Sequence, residues 1–227
     1  MPEKIFLKHL KLVIFDVDGT LYDQKKLRNK MMVALLWYYF LRPWKFKELL
    51  IIYHFRKERE MKAGFEGPDL YNAQFDWCAE KLKYPVNTIK NVVNKWIFAF
   101  PNRYLKSCMY PDVKELFELL KENEILRAIY SDYDSDEKMK WMGLEADLLI
   151  SSTDAEINAL KPQPKALNYI IDKFKIEEKN SCLFIGDRPE LDGICAKRAG
   201  IKFLLIDKET AKNNFYKKLS KAILDVN

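Results

Sequence analysis

Five short, nearly unbroken apolar runs punctuate this chain: Leu12-Val13-Ile14-Phe15, Leu126–Tyr130, Leu148–Ile150, Cys182–Ile185 and Phe203–Ile206. Runs of this length without polar alternation read as strands buried on both faces, the habit of parallel sheets covered by helices. Between the later runs lie helical spacings. Asp112–Asn123 carries Val113, Leu116, Phe117, Leu119 and Leu120 behind Pro111; Pro164–Phe174 carries Ala166, Leu167, Ile170, Ile171 and Phe174; Pro189–Ala199 ends at Gly200, a suitable C′ residue. Strand and helix alternate from residue 111 onward, which predicts an α/β fold: a Rossmann-like, doubly wound, mostly parallel sheet with right-handed crossovers. Thr210–Leu224 reads as an amphipathic helix covering that sheet.

The first strand breaks the rhythm. About 95 residues separate Asp16 from Pro111, and their pattern is helical over roughly 25–41, 44–62, 68–82 and 86–99, with breaks at Pro43, Gly64 to Pro68 and Pro85. The chain is therefore expected to begin the sheet, leave it for an α-helical insert, and return.

Composition narrows the function classes. Hydrophobic residues at 48% and charged residues at 32% exclude a disordered chain, and only seven glycines disfavour an all-β fold rich in tight turns. Two histidines, His9 and His54, leave little for a histidine zinc site or a Ser-His-Asp triad, and His54 reads as structural. Cys78, Cys108, Cys182 and Cys195 form no CxxC pair and are expected to be reduced thiols. The opening MPEKIFLKHLKLVIFD runs straight into a strand pattern, and no stretch of about 20 apolar residues occurs, so neither a secretory leader nor a membrane span is expected and a cytoplasmic setting is.

The polar residues after each run carry the chemistry, because ligands of open α/β sheets gather at the carboxyl ends of strands. Asp16-Val17-Asp18-Gly19-Thr20 follows the first run, Ser131-Asp132 the second, Lys161-Pro162 the third at some distance, and Gly186-Asp187-Arg188-Pro189-Glu190-Leu191-Asp192 the fourth. Four carboxylates, Asp16, Asp18, Asp187 and Asp192, would meet at one edge and repel unless a hard divalent cation joined them; Mg²⁺ suits a site completed by phosphate and water. Asp16 is then placed to attack phosphorus and Asp18 to move the proton of the leaving group and of water, with Lys161 and Ser131 holding phosphoryl oxygens. Gly19 permits a tight turn where the backbone meets the ligand.

DVDGT, YSD, LKP and GDRPELD, in this order and each after an expected strand, resemble the four signatures of the haloacid dehalogenase superfamily of phosphatases, over residues 11–25 and 105–207. The insert resembles that family's type 1 helical cap, as in its phosphoglycolate phosphatase-like members. The resemblance implies a core of residues 1–23 with 108–227, a cap of 24–107, and a phosphomonoester hydrolase that works through an aspartyl-phosphate on a small phosphorylated substrate. It makes Asp16 the nucleophile and Asp18 the acid/base. It implies Mg²⁺ on Asp16, the Asp18 main-chain carbonyl, Asp187 and Asp192, and phosphate contacts from Gly19, Thr20, Ser131, Asp132 and Lys161. Asp132 stands where many relatives have Asn, so it either adds negative charge or turns away to cap the next helix. Arg188 is expected to pair with Glu190 or Asp192. Family members that cleave carbon–halogen bonds lack the carboxylate that Asp18 supplies, and sugar-phosphate mutases share both core and cap.

The insert adds two features. Residues 24–107 hold 17 Lys/Arg against 7 Asp/Glu, while the remainder holds 22 against 26. That asymmetry reads as a solvated basic face or as the site of an anionic partner; no nucleic-acid motif accompanies it. The runs from Met31 to Leu41 and from Leu49 to Phe55 are apolar all round, which predicts a packed helical bundle core. The competing expectation is an apolar pocket or a membrane-surface patch for a lipid-linked phosphate, since Arg42, Lys45 and Lys47 interleave with Trp44 and Phe46. Tyr22, Asp23, Arg28, Arg103 and Tyr104, near the two linkers, are further candidates for substrate contact.

Overall fold

The computed structural model describes residues 7–206, 209 and 214–225. Five strands, β1 (Leu12–Phe15), β2 (Leu126–Ser131), β3 (Leu148–Ser151), β4 (Cys182–Gly186) and β5 (Lys202–Leu205), form one parallel sheet in the order β3-β2-β1-β4-β5. Leu12 pairs with Leu126 on one side and Cys182 on the other, so β1 is the central strand. The pleat sends Val13 and Phe15 into one hydrophobic cluster and Leu12 and Ile14 into the other, one on each face. Phe15 stacks on Phe117 at 4.7 Å between ring centroids, the tightest aromatic contact of the sheet face.

Burial on both faces holds for β1 and β4 and fails at the sheet's margins. Leu148 and Leu149 of β3 are half-buried, and β5 runs from exposed Lys202 to exposed Leu205. Among the described residues each of these strands has a neighbour on one side only, so an apolar run marked the strand but not its burial.

Between β1 and β2 lie α1 (Gln24–Phe40), a 3-10 turn (Pro43–Lys45), α2 (Glu48–Met61), α3 (Leu70–Leu82), α4 (Val86–Val93), a π turn (Asn94–Ala99) and α5 (Asn102–Cys108). Then follow α6 (Val113–Glu122), α7 (Asp136–Met142) after β2, α8 (Lys165–Lys173) after β3, α9 (Ile194–Ala199) after a π turn at Pro189–Gly193, and α10 (Phe215–Leu224). Helix α10 confirms the C-terminal amphipathic helix from Phe215; residues 210–213 of that expectation lie outside the described residues. Gly200 has φ 75° and closes α9 as a left-handed C′ residue. Helices α5 and α7 were not announced by apolar spacing, being only seven residues each.

The two linkers of the insert run side by side. The Asp23 N–H donates to the Cys108 carbonyl at 2.9 Å, Tyr22 bridges Met109, and the Asp23 side chain caps α1 by accepting from Lys26 N.

The expected bundle core is corrected for α1. Of its 17 residues only Leu27, Met31 and Tyr39 are buried. Trp37, Phe40 and Trp44 are 67%, 77% and 74% exposed, and Met32, Val33, Leu36 and Phe46 are exposed with them. Instead of packing its apolar run against α2, α1 stands off and leaves a cavity between them. All four cysteines are buried and free. Among the described residues no helix is long and apolar enough to cross a membrane.

Candidate active site

The carboxyl end of β1 sits where the chain crosses to β2 on one side and β4 on the other, the topological switch point of the sheet. Asp16 leaves β1 there, its N–H donating to the Ile185 carbonyl of β4 at 2.9 Å. The chain then turns, Leu21 N–H reaching the Val17 carbonyl at 3.0 Å, through Gly19 at φ 98°. A Cβ on Gly19 would stand 2.2 Å from Asp187 Oδ2, and one on Gly186 2.5 Å from Asp192 Oδ2. Both glycines are demanded by the carboxylates that crowd them.

Asp16, Asp187 and Asp192 each offer an oxygen within 4.8 Å of the others. Lys161 lies among them, 2% exposed, with Nζ 2.6 Å from Asp16 Oδ1 and 2.8 Å from Asp192 Oδ1. The Thr20 hydroxyl donates to the other Asp16 oxygen at 2.9 Å. Asp192 is fixed by the Arg188 N–H, which donates to its Oδ2 at 3.0 Å.

One ammonium does not balance three carboxylates. Burial, opposed by Lys161 but reinforced by Asp192 and Asp187, raises the Asp16 carboxyl above the usual carboxylate range. Burial and then Asp192 push Asp187 up to about 6. Burial alone would lower the Lys161 ammonium, but Asp16 and Asp192 carry it well above its ordinary value. Asp187 Oδ1 is buried and has no hydrogen-bond partner among the described residues. A buried, unpartnered carboxylate oxygen in an acidic cluster is what a hard divalent cation would satisfy, so the donor set fits such an ion.

The Asp18 carboxylate stands outside this cluster. Lys138 Nζ of α7 lies 2.5 Å from its Oδ1, and the Tyr22 hydroxyl donates to the same oxygen. Burial works against its charge, but Lys138 and Tyr22 outweigh burial and hold it below the usual range. Both contacts fall on Oδ1 and lead away from the acidic cluster; the cation contact implied for Asp18 was through its main-chain carbonyl.

Other expected residues are placed as follows. Ser131 is 1% exposed at the end of β2, its Oγ accepting from Tyr133 N at 3.3 Å. Asp132 does not cap the next helix; its Oδ1 accepts from the Ser152 hydroxyl at 2.9 Å and its carbonyl accepts from Arg59. A carboxylate held this way repels phosphate, so of the Asp132 atoms only its N–H suits that task. Arg188 pairs with Glu190 at 2.9 Å as expected, and also with Glu60 of α2, which the sequence did not disclose. Arg28 and Tyr22 line the cavity; Arg103, stacked on Phe100, and Tyr104 do not.

Lys138, Arg56 and Arg59 were missed. Arg56 and Arg59 are three apart on α2 and line the cavity, Arg59 being buried with its guanidinium 4.2 Å over the Tyr133 ring. Their spacing on one helix face was the available signal. Lys138 had none beyond its place seven residues after Ser131.

Above the carboxylates opens a cavity of about 1840 Å³. Asp16, Asp18, Arg56, Arg59, Lys138 and Lys161 are among its lining residues, and every lining side chain contributed by residues 31–52 is apolar or aromatic.

Residues 13–206 match the family model described as haloacid dehalogenase-like hydrolase. The chain belongs to that family. Phosphoglycolate phosphatase of Haemophilus influenzae strain 86-028NP is 30% identical over 197 residues, 84% of this chain and 82% of that protein. Family and relative together make the chain a phosphatase. The crystal structure of a phosphatase of the family from Thermococcus onnurineus aligns with a TM-score of 0.59 at 21% identity, covering 88% of this chain and 87% of that one. A 2-haloacid dehalogenase from Pseudomonas syringae pv. Tomato aligns at 0.57 and 18% identity, covering 86% of each. One architecture thus serves two reactions, and these structural likenesses speak for the fold alone.

Proposed function

We propose that this phosphatase is a Mg²⁺-dependent phosphomonoester hydrolase that works through a phosphoryl ester of Asp16. The observation that carries the reading is the surround of Asp16: Lys161 on one oxygen, Thr20 on the other, and two further carboxylates close by. Asp16, Asp187, Asp192 and the Asp18 carbonyl would hold Mg²⁺. The ion would supply positive charge that lets an anionic nucleophile approach an anionic phosphoryl group.

In the first half-reaction an Asp16 oxygen forms a bond to phosphorus as the bond to the leaving alcohol breaks. The electron pair departs on the alcohol oxygen, and the Asp18 carboxyl supplies its proton. Lys138 and Tyr22 keep Asp18 ionised before substrate arrives; a phosphate dianion beside it raises its affinity for a proton. In the second half-reaction water attacks the same phosphorus, Asp18 takes its proton, and the bond to Asp16 breaks. The sum is monoester plus water giving alcohol plus phosphate. Lys161, with the Ser131 hydroxyl and the N–H groups of Gly19 and Asp132, would stabilise charge on the phosphoryl oxygens; the Thr20 N–H already donates to the Val17 carbonyl at 3.3 Å. Thr20 Oγ1 serves to orient the nucleophile.

Residues 24–107 act as the cap and residues 1–23 with 108–227 as the core, a division supported by the adjacent linkers at Asp23 and Cys108. Closure would exclude water from the first half-reaction. The small phosphorylated substrate of the Haemophilus relative supports a monoester here as well. A screen of phosphomonoesters with and without Mg²⁺ tests the reading. Phosphate release without a bisphosphate activator, lost in Asp16→Asn, is expected; release needing the activator would make the protein a mutase, and unchanged turnover by Asp16→Asn would remove the nucleophile.

A further inference from the structure

The cavity is larger and greasier than a small metabolite requires. Ligand pockets commonly span about 300–1,000 Å³, and this one measures about 1840 Å³. Lys161 and Lys138 sit on the Asp16 and Asp18 carboxylates within it. Its lining also takes in Leu36 and Phe40 of α1 and Leu49 and Ile52 of α2, without a charged or amide side chain among the lining contributed by residues 31–52. A sugar or nucleoside extending into this half would lose its water and gain no hydrogen-bond partners. An alkyl chain loses nothing there.

Phe40, Trp37 and Phe46 line the cavity and are also exposed to solvent, so the apolar lining reaches the surface there, and Trp44 is exposed close by in sequence. Arg42, Lys45 and Lys47 are exposed in the stretch of chain that carries Trp44 and Phe46. Large exposed apolar patches on a soluble fold mark a surface that something covers. Here the patch is continuous with a channel that ends at the candidate nucleophile, so the covering group and the reacting group belong to one molecule.

We infer that the substrate is an amphiphilic phosphomonoester, its phosphate at Asp16 and its hydrocarbon tail in the channel between α1 and α2. The inference rests on the phosphatase reading above and narrows its leaving group. It accounts for the failure of α1 to bury its apolar run: that face is completed by substrate rather than by α2.

A homologous series of alkyl phosphates, ethyl to dodecyl and kept below aggregation, tests it in the full-length protein with Mg²⁺. Each methylene that enters the channel should raise kcat/KM about three- to fourfold until the channel is filled. Leu36→Asp or Phe40→Asp should lower the dodecyl-to-ethyl ratio of kcat/KM by tenfold or more; misfolding would lower both substrates and leave the ratio alone. Dodecylphosphonate should bind the unaltered protein at least a hundredfold more tightly than ethylphosphonate, a readout that needs no turnover. Presenting dodecyl phosphate dispersed or in phosphatidylcholine vesicles separates the two sources, the faster arm naming the one used. Hydrolysis of short esters with no dependence on chain length, in either arm, overturns the inference and leaves the phosphatase reading standing. So does a dimer closed through Trp37 and Phe40 that alkyl phosphonates do not dissociate. Tight phosphonate binding without hydrolysis of any ester would instead sink the phosphatase reading and keep the channel.

Discussion

Asp187→Asn is expected to make the metal-free protein more stable while destroying its response to Mg²⁺. Asp187 Oδ1 is buried without a partner, and burial together with Asp192 raises the carboxyl from its ordinary 3.8 to about 6. A raised carboxyl means that the folded chain holds the proton more tightly than the unfolded chain does. Ionising Asp187 therefore costs stability: nothing below about pH 3.8, an increasing amount between 3.8 and 6, and the full amount above 6. At about 1.4 kcal/mol per pH unit the ceiling is about 3 kcal/mol. The side chain is only partly covered, so solvent screening reduces that to about 1–2 kcal/mol. For a chain of this size that is a rise of about 2–8 °C in Tm. Differential scanning fluorimetry in EDTA at pH 7.5 and pH 4 should show the variant melting higher at 7.5 and level with the parent at 4. Adding Mg²⁺ should raise the parent's Tm and not the variant's, because a ligand stabilises only the state that binds it. A variant that melts at or below the parent in EDTA at pH 7.5 would refute the idea that these carboxylates repel in the absence of a cation. A preserved Mg²⁺ shift would refute Asp187 as a ligand.

Two further substitutions probe the site and its scaffold. Lys161→Met removes the ammonium that faces Asp16 and Asp192, so kcat should fall at least about a thousandfold and the EDTA-treated protein should lose about 3 kcal/mol, read by urea unfolding; near-parental turnover would exclude Lys161 from charge stabilisation. Arg127 holds Asp147 through Nε at 3.1 Å and Nη2 at 2.7 Å, joining β2 to the entry of β3. Burial opposes the Asp147 charge, yet the Arg127 bonds depress its carboxyl below the ordinary 3.8, so the pair stabilises the fold above that value and the benefit fades as pH falls through the depressed one. Arg127→Met should cost about 1–3 kcal/mol at pH 6 and much less near pH 3; a cost independent of pH would assign Arg127 to packing alone.

The site was legible in the sequence where the backbone itself carries it. Asp16 and Asp187 directly follow an apolar run, and parallel pairing brings the ends of such runs together; Lys161 and Asp192 come farther along the chain and were legible through the ordered motifs LKP and GDRPELD. Lys138, Arg56 and Arg59 were not legible, because they reach the cavity from helices whose angle to the sheet is set by tertiary packing. The same limit explains the insert. Apolar residues all round α1 gave the right helix and the wrong partner, since periodicity records which residues avoid water but not whether protein or ligand covers them. Strands β3 and β5 make the smaller version of the point: their apolar runs located them, and only the strand order showed them to be edges.

The central claim is that phosphorus passes through Asp16. Rapid acid quench of the protein during turnover with Mg²⁺ and a hydrolysed monoester, followed by mass spectrometry of the peptide containing Asp16, tests it directly. One phosphoryl group on that peptide is expected, formed within a single turnover of the parent protein and abolished in Asp16→Asn. Phosphate released by the parent protein with no phosphoryl adduct at Asp16 at any quench time, and with full activity in Asp16→Asn, would contradict it.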